Sequence, residues 1–335
     1  DKAKNKATKK RTVTVVAKAE EGKTTEATTT QNPTTEQITT AATTEQVTTA
    51  ATTRTEQATT TATTEKTTEE CTTVFNTEGK NTNDVSVLQK IINLQNTAGA
   101  TIPRDLENNI YYLWNQNGRL EKINWCKVGI SGTVSFEGLS ALKRLDCSDN
   151  KISGLNIDNN SELDILHCEN NSIEKLNLSG NKKLTYLCCD SNKLAALDVQ
   201  SNTELTDLHF SNNDLIQIDV TQNKGLTNLS CSNNKLTDIN LNNNTELQFL
   251  YCDHNQLSNL DVSANVKLTN LYCYNNQLQQ LNVDTNYCLV NLNCSTNYIS
   301  TLDVSNNKGL LNLSCHDNQL TQLDLSNNTE LLELR

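Results

Sequence analysis

From Leu142 onward the chain repeats one arrangement of apolar and polar positions every 21 residues. Blocks begin at Leu142, Leu163, Leu184, Leu205, Leu226, Leu247, Leu268, Leu289 and Leu310, and a tenth starts at Leu331. The copy from Leu226 to Glu246 reads L-T-N-L-S-C-S-N-N-K-L-T-D-I-N-L-N-N-N-T-E. Apolar residues alternate at positions four and six of each block, which predicts a short strand over positions three to seven. Adjacent copies then pair in parallel, about 4.8 Å apart. No insertion breaks the register, and a fixed period of this length predicts stacked coils forming a solenoid.

Inward columns follow from that geometry. Position four is Leu throughout, from Leu145 to Leu313, and position six is Cys from Cys147 to Cys315, interrupted once by Phe210. The Cys column reads as small buried hydrophobes, free rather than bridged, because in-register parallel strands give poor disulfide torsions. Cys71, Cys126, Cys188 and Cys288 lie off the ladder and are expected to be more accessible. Two invariant Asn columns, Asn150 to Asn318 and Asn160 to Asn328, are suited to satisfying backbone groups at the two turns. Leu155, Ile157 and their copies complete the core from the convex side.

The region before the blocks divides by composition. Residues 1–23 carry a basic start and an alternating K-R-T-V-T-V-V-A-K, which reads as a strand left from an upstream domain. Residues 24–80 are a Thr-rich linker, expected to be disordered because they have too little apolar surface to offset chain entropy. Glycosylation of this stalk is an open alternative. Residues 81–141 supply a cap and a degenerate first repeat: a helix over 83–97 started by Thr82 or Asn83, then a hairpin turning at Asn115–Gly118. Trp125 replaces the ladder Cys there and is expected to plug the mouth of the stack. Residues 142–335 are the repeats, nine full and a tenth truncated, so the chain reads as a fragment of a longer protein.

Positions three, five and seven are expected to face outward on the concave side, where the sequence varies. One cluster is aromatic: Phe249, Tyr251, Tyr272 and Tyr274, with Asp253 beside them and Tyr186 and Asp207 two to four strands away. Rigid rings with polar tips make binding anchors, and cross-strand Tyr pairs also stabilise sheets. A second group, His167, Cys188 and His209, has ligand types suited to Zn²⁺, but its spread over three strands strains side-chain reach, so no metal is expected.

Charge narrows the partners. The net charge of −11 falls on residues 142–335, which hold 12 Lys or Arg against 23 Asp or Glu. An acidic solenoid repels phosphate backbones, which argues against nucleic acid. No apolar run is long enough to span a membrane. No Ser/His/Asp arrangement, phosphate loop or paired-carboxylate cleft emerges, so neither an enzyme nor a cofactor is expected.

The block L-x-x-L-x-C-x-x-N-x-L-x-x-L-D-V-S-x-N resembles the cysteine-type leucine-rich repeats of Gram-positive surface proteins, including cysteine-ladder members of the internalin family. The stretch from Asn83 to Cys147, with N-G-R-L-E-K-I-N-W, is similar to the cap and lead-in repeat of secreted clostridia-like proteins. The resemblance implies a leucine-rich-repeat solenoid with one short parallel strand per repeat, a turn-rich convex side and a small helical cap. It implies a secreted or cell-surface binding module, without catalytic activity, docking a protein on another cell or in the same surface assembly. The alternative is a carbohydrate- or wall-targeting module of a larger secreted enzyme.

Overall fold

The fold is described from a computed structural model, for residues 12–13 and 75–335. The expectations for the Thr-rich stretch up to residue 74, for Cys71 and for most of the basic start lie outside the described residues. Thr12–Val13 (β1) pairs antiparallel with Leu323–Asp324 (β15). The other elements, in chain order, are α1 (Thr82–Thr97), β2 (Tyr112–Trp114), β3 (Leu120–Asn124), β4 (Ser131–Ser135), β5 (Arg144–Asp146), β6 (Lys151–Asn156), β7 (Ile165–His167), β8 (Tyr186–Cys188), β9 (Asp207–His209), β10 (Asn228–Ser230), β11 (Phe249–Tyr251), β12 (Asn270–Tyr272), β13 (Asn291–Asn293), β14 (Asn312–Ser314) and β16 (Glu333–Leu334).

One sheet of 12 strands runs the length of the solenoid in the order β2-β3-β5-β7-β8-β9-β10-β11-β12-β13-β14-β16. From β3 onward every pairing is parallel, and the invariant Leu meets its copy, as in Leu229 with Leu250 and Leu250 with Leu271. The strand proper covers positions three to five rather than three to seven. Single backbone bonds between coils continue beyond it, such as Cys231 N–H to the Tyr251 carbonyl at 2.8 Å.

The inward columns are buried as expected: the Leu column, the ladder cysteines and Phe210 all lie in one continuous core. The cysteines of the described residues are free. Burial pushes the Cys273 thiol up to about 12. Some thiols lean on the next coil, Cys189 Sγ lying 3.4 Å from the His209 carbonyl oxygen. Cys188 corrects an expectation. It is buried, 7% exposed, its thiol set against the Glu169 side chain and the Asp190 backbone; Cys288 is exposed and Cys126 half-buried.

The position-nine Asn column binds neighbouring coils together. Asn255 Nδ2 donates to the carbonyls of Cys231, Cys252 and Asp253 at 3.0 to 3.2 Å, while its Oδ1 accepts from Leu236 N–H at 3.0 Å. Its copies repeat the pattern. The second column differs. Asn265 Nδ2 donates to the Leu241 and Asn244 carbonyls, but its Oδ1, like those of its copies from Asn160 to Asn328, is buried with no protein partner among the described residues. Between strand and ladder Asn, position eight is left-handed in every repeat, including Ser191 (φ 53°), His254 (φ 53°) and Thr296 (φ 55°).

The cap closes the first coil. Asn81, not Thr82 or Asn83, caps α1, its side-chain oxygen accepting from the N–H groups of Asn83 and Asp84. Asp84 is buried and receives Arg119 Nε at 2.8 Å and Leu120 N–H at 3.0 Å, which fastens the helix start to the hairpin β2–β3. Gln95 pairs with both backbone groups of Ser131, at the start of β4. The turn leading into β3 needs Gly118, since a Cβ there would meet the Gly79 carbonyl oxygen at 2.2 Å. Trp125 is fully buried, with Tyr112 edge-on at 6.2 Å and Phe136 at 5.6 Å. Phe75 packs on the same core.

Candidate binding surface

Short strands in register put the side chains of positions three and five on one open face. Because the backbone alternates, each half-buried outward residue is supported by a buried Leu between them, as at Phe249, Leu250 and Tyr251. On β11 and β12, Tyr251 and Tyr272 are register partners. Their rings stack at 5.1 Å between centroids and 15° between planes. Burial, and then the neighbouring Tyr272, raise the Tyr251 phenol above its usual range. Phe249 stands on the same strand beside Asn270.

Position seven does not face outward in the way positions three and five do. Since the strand ends at position five and the chain turns left-handed at position eight, the intervening side chain tucks against neighbouring coils. Asp253 is 6% exposed and accepts from Ser232 Oγ at 2.7 Å, with His254 Nδ1 at 3.0 Å. It therefore stands under the surface rather than on it. Tyr274 remains half-buried and meets His254 edge-on at 4.9 Å rather than joining the tyrosine stack. His254 is part of this surface although no reading of the strand columns includes it; its position eight lies one residue past them.

A second patch occupies β7 to β9, separated from the tyrosines by β10. Tyr186 lies between two imidazoles, 4.8 Å from the His167 ring and 5.5 Å from the His209 ring. Burial above all pushes its phenol up to about 12. Asp207 is its register partner on β9. The Glu169 carboxylate raises the His167 pKa as an ion-pair partner, with Nδ1 3.6 Å from Oε1. Burial raises the Asp190 carboxyl.

This arrangement does not assemble His167, Cys188 and His209 into a metal centre. The Tyr186 ring lies between the imidazoles, tilted 38° to one and 36° to the other, and burial raises the Cys188 thiol pKa. Among the described residues no group of three or more His, Cys, Asp or Glu side chains is placed to hold a metal ion. No described helix is long and apolar enough to cross a membrane.

No protein-family model matches the chain, and no curated protein matches it. Solved structures do. The functional domain of InlJ from Listeria monocytogenes, whose description includes a cysteine ladder, is 36% identical with a TM-score of 0.62. The chain shares with that domain a solenoid of stacked parallel strands and a buried column of cysteines. The InlJ match covers 64% of this chain but 48% of the InlJ chain, so the chain spans about half of that structure's length. A leucine-rich-repeat protein of Leptospira interrogans is 20% identical over 72% of this chain and 79% of its own, with a TM-score of 0.48. Internalin InlF of Listeria monocytogenes is 20% identical over 64% and 79%, with a TM-score of 0.45.

Proposed function

We propose that this leucine-rich-repeat chain is a non-catalytic, extracellular or cell-surface binding module that docks a protein ligand on its concave face. The stacked pair Tyr251 and Tyr272 carries the reading. Aromatic rings are only 4% of the residues, yet two of them meet on the open face of adjacent strands. Such rings offer large, rigid contact area at little cost in side-chain entropy, which suits them to be interface anchors. Phe249 extends the anchor along β11, Tyr274 flanks it, and Asp253 supports it from below. Tyr186 and Asp207 form a second contact two to four strands away, within the span of an ordinary protein interface.

The test uses immobilised protein exposed to solubilised cell-surface proteins. A Tyr251→Ala, Tyr272→Ala double variant with unchanged circular dichroism is expected to lose the species that the parent retains. Equal retention by the double variant overturns the assignment.

A further inference from the structure

The flank of the solenoid just past the ladder Asn changes character along its length. Positions ten, twelve and thirteen of the first five repeats include Lys151, Glu174, Lys175, Lys193, Asp214, Lys235 and Asp238. Some of these pair across coils, as Lys235 does with Asp214 at 2.6 Å. In the next four repeats the same positions hold Gln256, Ser258 and Asn259, then Gln277, Gln279 and Gln280, then Tyr298, Ser300 and Thr301, then Gln319, Thr321 and Gln322. All twelve residues in this row are uncharged, in a chain whose net charge is −11.

Eight of them line a groove of about 810 Å³: Asn259, Gln279, Gln280, Tyr298, Thr301, Gln319 and the serines Ser258 and Ser300. Tyr298 is 54% exposed. Among the described residues, the side chains lining the groove make no hydrogen bond to another protein group. The nearby carboxylates Asp261 and Asp303 do not line it; each caps its own turn, accepting from Ser263 and Ser305 N–H.

We propose that this groove is a second binding site, distinct from the concave face, and that it takes a neutral polysaccharide chain laid along the solenoid axis. Amide and hydroxyl side chains donate and accept at the same end, which matches the hydroxyl rim of a sugar ring. The exposed ring of Tyr298 offers the flat surface on which the apolar face of a sugar stacks. Missing charge matters as much. An ion in the groove would have to shed water that neutral side chains only partly replace, and among the described lining residues a charged polymer finds no counter-charge. Repeats spaced about 4.8 Å apart place like groups in a regular row, which suits a ligand that is itself a repeating chain.

Native affinity electrophoresis of the full chain tests this, with soluble mixed-linkage β-glucan, arabinoxylan and galactomannan in the gel, and polygalacturonate as the anionic comparator. At least one neutral polymer is expected to retard the protein. Tyr298→Ala and Gln280→Glu, both at exposed positions, should each weaken that retardation at least about tenfold, a loss of about 1.4 kcal/mol. The Tyr251→Ala, Tyr272→Ala variant should be retarded like the parent, which separates this site from the concave one. The proposal is overturned if none of the three neutral polymers retards the chain, if polygalacturonate is preferred, or if the groove variants run as the parent. It is equally overturned if those variants change only self-association in sedimentation.

Discussion

Tyr251 and Tyr272 stack ring on ring across β11 and β12, 5.1 Å apart, held in place by backbone register rather than by a hydrogen bond between them. Two consequences separate. As a cross-strand pair they add stability to the sheet, about 0.5–1.5 kcal/mol by the usual worth of such contacts. As half-buried rings on the open face they are the proposed anchor for a partner. Tyr251→Ala alone is therefore expected to lower the unfolding midpoint slightly while removing most of the binding, which thermal melts and retention assays on the same sample will distinguish.

The ladder Asn is worth far more than its neighbours. Asn255→Ala removes donors from three carbonyls and the acceptor of Leu236 N–H. Leaving buried backbone groups unpaired should cost about 3 kcal/mol or more. Chemical denaturation of Asn255→Ala against the exposed Gln256→Ala should show a large shift for the first and almost none for the second.

Backbone strain at position eight offers the opposite sign. Thr296 is β-branched yet has φ 55°, a region that such residues rarely adopt. Asn tolerates it better, and Asn already fills the place at Asn233 and Asn275. Thr296→Asn is expected to stabilise the solenoid by about 0.5–1 kcal/mol, read as a higher melting temperature.

Thiol chemistry follows from burial. The ladder thiols are buried and burial raises their pKa values, as at Cys252 and Cys294, so little reactive thiolate forms. Brief treatment of native protein with a thiol reagent, followed by peptide mapping, should modify Cys288 and leave Cys147 through Cys273 and Cys294 intact until denaturant is added.

The His167–Glu169 pair gives a pH dependence. His167 is raised above about 6.5 in the fold, so its stabilising contribution is present at low pH and lost as pH rises through the raised value. Burial pushes Glu169 up, but the His167 imidazole and its own backbone N–H outweigh this and leave it lowered. Its contribution is present above its unfolded value and lost as pH falls. Both groups are charged near pH 5.5. Glu169→Gln should therefore lower the denaturation midpoint more at pH 5.5 than at pH 8.5.

Much of this was legible from the repeat alone. A fixed period with Leu at position four and Cys at position six determines strand, register and core together, because any slip would expose the whole column. The stacked tyrosines were legible for the same reason, since equal position numbers become register partners. What escaped depends on the path between strands. The left-handed turn at Ser191, His254 and Thr296 carries no residue-type signal at those three positions, and it is this turn that buries Asp253 and brings His254 onto Tyr274. Parity puts Cys188 on the open face, but its thiol turns against Glu169 and the Asp190 backbone and is buried. Tyr186 sits one column away from the two histidines, so column counting alone did not place its ring between them. The uncharged flank was visible in the sequence; only the fold shows that its members share a groove.

The docking role proposed for the tyrosine pair is tested most directly by attachment. Beads coated with the parent chain, with Tyr251→Ala, Tyr272→Ala, or with the flank variant Gln280→Glu, can be scored for attachment to surfaces coated with the protein species that the parent retains. Attachment should fall at least tenfold, about 1.4 kcal/mol, for the concave variant and stay at the parent level for the flank variant. Undiminished attachment of the concave variant, with its fold verified, would contradict the account.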